Sequence, residues 1–226
     1  MYKHILFDAD NTLLDFDKAE EISICNTFKF FGINIRYSKR FSEINSSLWR
    51  LFETGGIERE EIKTKRFQLL LDEIGISDIS AKEVSEKYLY ELSCSSFSYS
   101  GAKELCEELS NRGINLYIIT NGHTITQTKR LKNADFIKYI KKTFISEKIG
   151  YQKPNKEYFD YVLNEINADE NECIIIGDSL SSDIKGGINS GIDTCWFNPK
   201  NKDNTGSIIP TYTVNTFSQI IDILKE

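Results

Sequence analysis

The chain has little from which a disulfide framework, a zinc site or a membrane anchor could be built. Its five cysteines, Cys25, Cys94, Cys106, Cys173 and Cys195, are odd in number and include no Cys-x-x-Cys pair. Cys173, Cys195 and Trp196 fall in strand-like runs and read as buried, the cysteines as small apolar residues. No apolar run approaches the ~20 residues needed to cross a bilayer. Met1-Tyr2-Lys3-His4 enters a strand-like run at once, with no basic stretch, apolar core and cleavage site in sequence, and His4, opening that strand, reads as a surface residue. A cytoplasmic protein without membrane contact is therefore expected. With 28 Lys and Arg against 34 Asp and Glu, the formal charge of −6 is spread along the chain. No basic stripe forms, which argues against binding a long nucleic acid. Low-complexity tracts and internal repeats are absent. Two of the three prolines lie in a polar stretch, residues 198–210, that reads as a surface loop.

What is present divides into two textures. Residues 3–7 predict a short buried strand. From Asp17 to about Ser96 the pattern is helical throughout. Ile22, Cys25 and Phe28 suggest one apolar face, and Phe41, Ile44, Leu48, Leu51 and Phe52 a second, stopped by Gly55-Gly56. Phe67, Leu70 and Leu71 mark a third, and Val84, Tyr88, Leu89 and Leu92 a fourth. Beyond residue 97, short apolar runs at 114–119, 143–146, 173–176 and 193–197 alternate with helical segments at 102–112, 124–132, 155–166 and 181–189. A closing helix is predicted over 217–224. That alternation predicts an α/β fold, a doubly wound parallel sheet with helices on both faces. The first strand belongs to the same sheet, so a core of 1–15 and 97–226 is interrupted by a helical insertion, 16–96.

Two acidic clusters follow apolar runs. Asp8-Ala9-Asp10-Asn11-Thr12 comes after Ile5-Leu6-Phe7, and Gly177-Asp178-Ser179-Leu180-Ser181-Ser182-Asp183 after Ile174-Ile175-Ile176. Carboxylates at the ends of buried strands are costly unless a cation or proton is shared among them. Mg²⁺ fits, being an oxygen-seeking ion that keeps several waters. Ile118-Ile119-Thr120-Asn121-Gly122 ends another strand with a hydroxyl and an amide that could face a phosphate, and Lys153-Pro154 follows a fourth run. In an open parallel sheet the ligand crevice lies beyond the carboxyl ends of the strands. The fold would therefore gather Asp8, Thr120, Lys153 and Asp178.

In order and spacing these four segments resemble the motifs of the haloacid dehalogenase-like phosphohydrolases, and the insertion resembles the α-helical cap of one large subgroup. The resemblance implies that Asp8 attacks phosphorus to give an aspartyl-phosphate. Asp10 would protonate the leaving alkoxide and then take a proton from the hydrolytic water. It implies that Asp8, the backbone carbonyl of Asp10, and Asp178 hold Mg²⁺, that Thr120, Asn121 and Lys153 bind phosphate, and that Asp183 and Thr12 act from behind them. A filled acid position at Asp10 favours phosphate transfer over dehalogenation. Phosphonate cleavage would use a cap lysine, for which Lys18 and Lys63 carry no supporting signature.

A narrower similarity, to bacterial nucleotidases of pyrimidine nucleoside 5′-monophosphates, rests on Ser47-Leu48-Trp49-Arg50, Gly55-Gly56-Ile57, Ile118 to Gly122 and Gly186 to Asn198. It implies a nucleotide substrate, with Trp49 either stacked on the base or packed between cap helices. His123 and Tyr151-Gln152 depart from the residues usual in that group. A phosphatase for another small ester, such as phosphoglycolate or a sugar phosphate, a sugar-phosphate mutase, and a non-catalytic binding protein on the same fold are the alternatives. Oligomeric state is left open.

Overall fold

The computed structural model describes residues 2–224. Contacts divide the chain into two compact units, residues 1–16 with 97–226, and 17–96. The first holds a six-stranded sheet: β1 (His4–Asp8), β2 (Asn115–Thr120), β3 (Ile140–Ile145), β4 (Cys173–Gly177), β5 (Asp193–Phe197) and β6 (Tyr212–Val214). The order is β3-β2-β1-β4-β5-β6 and every pairing is parallel.

The central strands are apolar on both faces because both are covered. Ile5 and Phe7 of β1 pack with Ala102, Leu105 and Leu109 of α5 (Ala102–Asn111) and with Ile220 of α10 (Phe217–Ile223). Leu6, one residue out of phase, faces Tyr158, Phe159 and Val162 of α8 (Lys156–Ile166). The side-chain period of two along a strand thus feeds two separate cores. Successive strands are added to one side of β1 up to β3 and to the other from β4 onward. The chain therefore reverses its direction of growth between β1 and β4, and at such a point the connecting loops part and leave a crevice.

Three expectations for this unit need correction. The third strand begins at Ile140 rather than 143; Lys141 and Lys142 lie within it and exposed, as suits an edge strand that must not recruit a neighbour. The edge strand β6 was not anticipated, because three residues after a polar loop carry too little periodicity. His4, read as a surface residue, is 8% exposed and stacks on Tyr117, with ring centroids 5.9 Å apart. Cys173, Cys195 and Trp196 are buried, as expected.

The second unit is helical: α1 (Phe16–Phe31, its first residue counted with the other unit), α2 (Ser38–Glu53), α3 (Arg59–Ile74) and α4 (Ala81–Cys94). Its core is a cluster of Phe28, Phe41, Phe67 and Tyr88, with neighbouring ring centroids 4.7–6.4 Å apart. Of the face expected for α1, Phe28 is buried but Ile22 is half-buried and Cys25 exposed, and the rest of the buried face is Ala19, Glu20, Ser23, Ile24 and Thr27. Ser23 and Thr27 can be buried because their hydroxyls donate to the carbonyls of Ala19 and Ser23, at 2.6 and 2.7 Å. No described helix is long and apolar enough to cross a membrane.

Candidate active site

Asp8 and Thr120 are the last residues of neighbouring strands, and Asp178 directly follows β4 on the other side of β1. Adjacent strands lie about 4.8 Å apart, so three distant parts of the sequence meet at one edge. Lys153 arrives on the loop before α8. Its side chain is only 2% exposed, and Nζ donates to Asp8 Oδ1 at 2.6 Å, Asp183 Oδ1 at 2.7 Å and the Ile119 carbonyl at 3.2 Å. Burial alone would push this ammonium down, but Asp183 and Asp8 more than offset it and hold it raised.

Each of these groups is fixed from behind. Asn121, expected to face phosphate, instead clamps the Lys153 backbone: Nδ2 donates to its carbonyl at 2.9 Å and Oδ1 accepts from its N–H at 3.0 Å. Thr12 Oγ1 is 3.4 Å from Asp8 Oδ2, in a loop closed by bonds from the Leu13 and Leu14 amides to the Ala9 carbonyl. Asp183 sits in a single wide π-helical turn, Leu180–Ile184, and accepts from the Ser179 amide at 3.1 Å. A Cβ on Gly177 would stand 2.2 Å from Asp183 Oδ2, so only glycine admits that carboxylate under the strand end. Trp196 Nε1 donates to the Asp178 carbonyl at 2.9 Å, and Lys202 Nζ lies 3.6 Å from Asp178 Oδ2.

The local charge is unbalanced. Asp8, Asp178 and Asp183 each offer a carboxylate oxygen within 4.8 Å of one another. Burial pushes the Asp8 carboxyl well up, opposed by Lys153 and reinforced by Asp183, Asp178 and Asp10. Burial and then Asp183 push Asp178 up to about 7, against the pull of Lys202 and Lys153. A buried carboxylate set with this surplus is the environment that a hard divalent cation relieves.

Asp10 stands apart from that cluster in its bonding. Its carboxylate accepts from Arg130 Nη1 at 2.5 Å and Gln127 Nε2 at 2.8 Å, both on α6 (Thr124–Lys132). Neither partner was anticipated, because Gln127 and Arg130 read as ordinary polar positions on a short helix. The Thr120 hydroxyl, 1% exposed, accepts from the Gly122 amide at 3.1 Å and from Gln127 Nε2 at 2.8 Å. Trp49 lies in the helical unit, partly buried and edge-on to Phe52 at 5.7 Å.

A family model for haloacid dehalogenase-like hydrolases matches residues 2–191. The chain belongs to that family. It is 40% identical to HAD-hydrolase YfnB of Bacillus subtilis over 99% of its own length and 96% of that protein. It is 35% identical to pyrimidine 5′-nucleotidase PynA of Streptococcus pneumoniae over 100% and 96% respectively. The crystal structure of YfnB bound to magnesium superposes with a TM-score of 0.93 at 39% identity, covering 100% of this chain and 99% of that one. The family accounts for the parallel sheet and for hydrolase chemistry.

Proposed function

We propose that this hydrolase is a Mg²⁺-dependent phosphatase of nucleoside 5′-monophosphates, pyrimidine in base, working through a phosphorylated Asp8. The observation that supports it best is the fixed triad of Asp8, Lys153 and Asp183 beside Asp178. It presents one carboxylate next to an ammonium that Asp183 and Asp8 hold charged against its burial, within a cluster short of positive charge. The similarity to a pyrimidine 5′-nucleotidase over the whole chain supports the substrate class.

Asp8, Asp178 and the backbone carbonyl of Asp10 would hold Mg²⁺. Bound there, the ion offsets phosphoryl charge and keeps Asp8 ionised against its burial. Asp8 Oδ forms a bond to phosphorus as the ester P–O bond breaks, and Asp10 gives its proton to the departing 5′-alkoxide. Asp10, now a carboxylate, takes a proton from water as that water's oxygen bonds to phosphorus. The Asp8–phosphorus bond breaks, releasing phosphate. Lys153 and the Thr120 hydroxyl meet the phosphoryl oxygens. The cleft need only supply donors that are already in place, and Asn121 and Asp183 supply that order for Lys153. The helical unit, residues 17–96, corresponds to the α-helical cap that the family resemblance implies.

The test is phosphate release from a panel of dUMP, dTMP, phosphoglycolate, glucose 6-phosphate and p-nitrophenyl phosphate, with and without Mg²⁺. The expected result is Mg²⁺-dependent turnover, fastest on dUMP or dTMP, and at least about 10⁴-fold lower in Asp8→Asn. Faster turnover of phosphoglycolate or the sugar phosphate would overturn the substrate assignment. Near-normal rates in Asp8→Asn would overturn the nucleophile.

A further inference from the structure

Arg130 and Gln127 have no place in the scheme above, yet the structure devotes unusual resources to them. Arg130 is 1% exposed, on a helix of nine residues, although a guanidinium is costly to remove from water without a partner. Its Nη1 bridges two acceptors, Asp10 Oδ1 at 2.5 Å and Gln127 Oε1 at 3.0 Å. The guanidinium lies over the Phe16 ring, 5.5 Å from its centroid, which fixes its plane. Gln127, also 1% exposed, completes the ring of contacts by donating to the other Asp10 oxygen and to Thr120 Oγ1, both at 2.8 Å. Gly122 makes room for it: a Cβ there would be 2.6 Å from Gln127 Cγ. Both oxygens of Asp10 are thereby engaged, yet its side chain remains 27% exposed.

We infer that Arg130 and Gln127 are positioning residues for the acid–base carboxyl Asp10, an inference that rests on the role proposed for Asp10 above. Asp10 sits on a loop, two residues past the end of β1, where nothing in the strand fixes its side chain. The α6 pair supplies that order and ties it to Thr120, so that the acid and a phosphate ligand are held by one amide. When the Asp10 proton moves to the leaving oxygen, negative charge appears on a carboxylate that Arg130 already faces. That interaction strengthens in the transition state and so contributes to rate rather than to substrate affinity. In the second step the same contacts hold the carboxylate where it receives the proton of the water.

The experiment uses leaving-group chemistry, because a fold defect does not discriminate between esters. A 5′-alkoxide leaves only with a proton, whereas p-nitrophenolate leaves without one. kcat/KM is measured on dUMP and on p-nitrophenyl phosphate for the wild type, Asp10→Asn, Arg130→Met, Arg130→Lys, Gln127→Leu and the double variant Asp10→Asn/Arg130→Met. Mg²⁺ affinity by calorimetry and melting temperature are recorded for each. Asp10→Asn should lose at least about 100-fold more on dUMP than on p-nitrophenyl phosphate, within the usual span of general acid catalysis. Arg130→Met should show the same preference at about tenfold or more, carried by kcat, with Mg²⁺ affinity unchanged. Arg130→Lys should recover part of it and Gln127→Leu should show it more weakly. In the Asp10→Asn background, Arg130→Met should leave the ester ratio where Asp10→Asn set it, since the two act as one unit. Equal losses on both esters in Arg130→Met and Gln127→Leu, or an additive double variant, would overturn the inference while leaving Asp10 as the acid. If Arg130→Met does not fold, Gln127→Leu and Arg130→Lys decide by the same ratio. Absence of any ester preference in Asp10→Asn itself would instead sink the acid role on which the inference stands.

Discussion

Both units bury charge, and they do it in opposite ways. In the helical unit, the Glu20 carboxylate accepts from Ser42 Oγ and Asn45 Nδ2, each at 2.7 Å, and Asn45 Oδ1 accepts from Arg66 Nη1 at 3.0 Å. Arg66 is 2% exposed and stands over Tyr88, 4.6 Å from the ring centroid. One acid is thus matched to one base through one amide, inside an aromatic shell. In the α/β unit, the buried ammonium of Lys153 faces Asp8 and Asp183, with Asp178 close by. The first arrangement balances its charge without a ligand, although Arg66 Nε and Nη2 find no hydrogen-bond partner. The second does not, and incompleteness of charge at a strand edge is what distinguishes a working site from a structural one.

That contrast can be broken most sharply at Asp178. Asp178→Asn should lower turnover at least about 100-fold, in line with losing a group that stabilises charge in the reacting complex. It should also abolish the rise in melting temperature that Mg²⁺ causes in the wild type. In metal-free protein the same change should leave melting unchanged or raise it, because the carboxylate it removes is one that burial disfavours. A marked fall in metal-free stability with an intact Mg²⁺ response would show that Asp178 is structural.

The opposite signature is expected at Asn45. Asn45→Ala leaves a buried carboxylate and a buried guanidinium each short of a hydrogen bond. It should cost about 1–3 kcal/mol in urea unfolding, with Mg²⁺ affinity unaltered. A loss under about 0.5 kcal/mol would mean that water replaces the amide and that the network is less closed than its geometry implies.

The smallest effect sharpens the comparison through pH. Burial raises the Glu20 carboxyl above the usual glutamate range, against Ser42, Asn45 and Arg66. A raised acid binds its proton more tightly folded than unfolded. Its stabilising contribution is therefore full below the ordinary glutamate value and is lost as pH climbs through the folded value. Glu20→Gln should flatten that decline, which begins above the ordinary glutamate value, measured as unfolding free energy against pH. A slope unchanged by the substitution would show that Glu20 is ionised in both states at no net cost.

Much of this site could be read from residue order. Apolar runs ending in Asp8, Thr120 and Gly177 announce strand ends, and strand ends of a parallel sheet are where its ligands go. Lys153 was legible only through its spacing from them. His4, the strand at Tyr212–Val214 and the buried Ser23 and Thr27 were not legible, because each depends on a partner supplied by another element. The same holds for Asn121. Its side chain could as well have faced a phosphate as the Lys153 backbone, and only the approach of that loop decides between them.

Sequence alone determined which residues are the candidates for chemistry, since periodicity and the acidic clusters are local patterns that survive any rearrangement of the chain. Tertiary structure alone decided which of them share a proton, a charge or a hydrogen bond. Arg130 and Asp10 are 120 residues apart, and no local signal records a contact of that kind. It exists because β1 and β2 are neighbours in the sheet and α6 follows directly from β2.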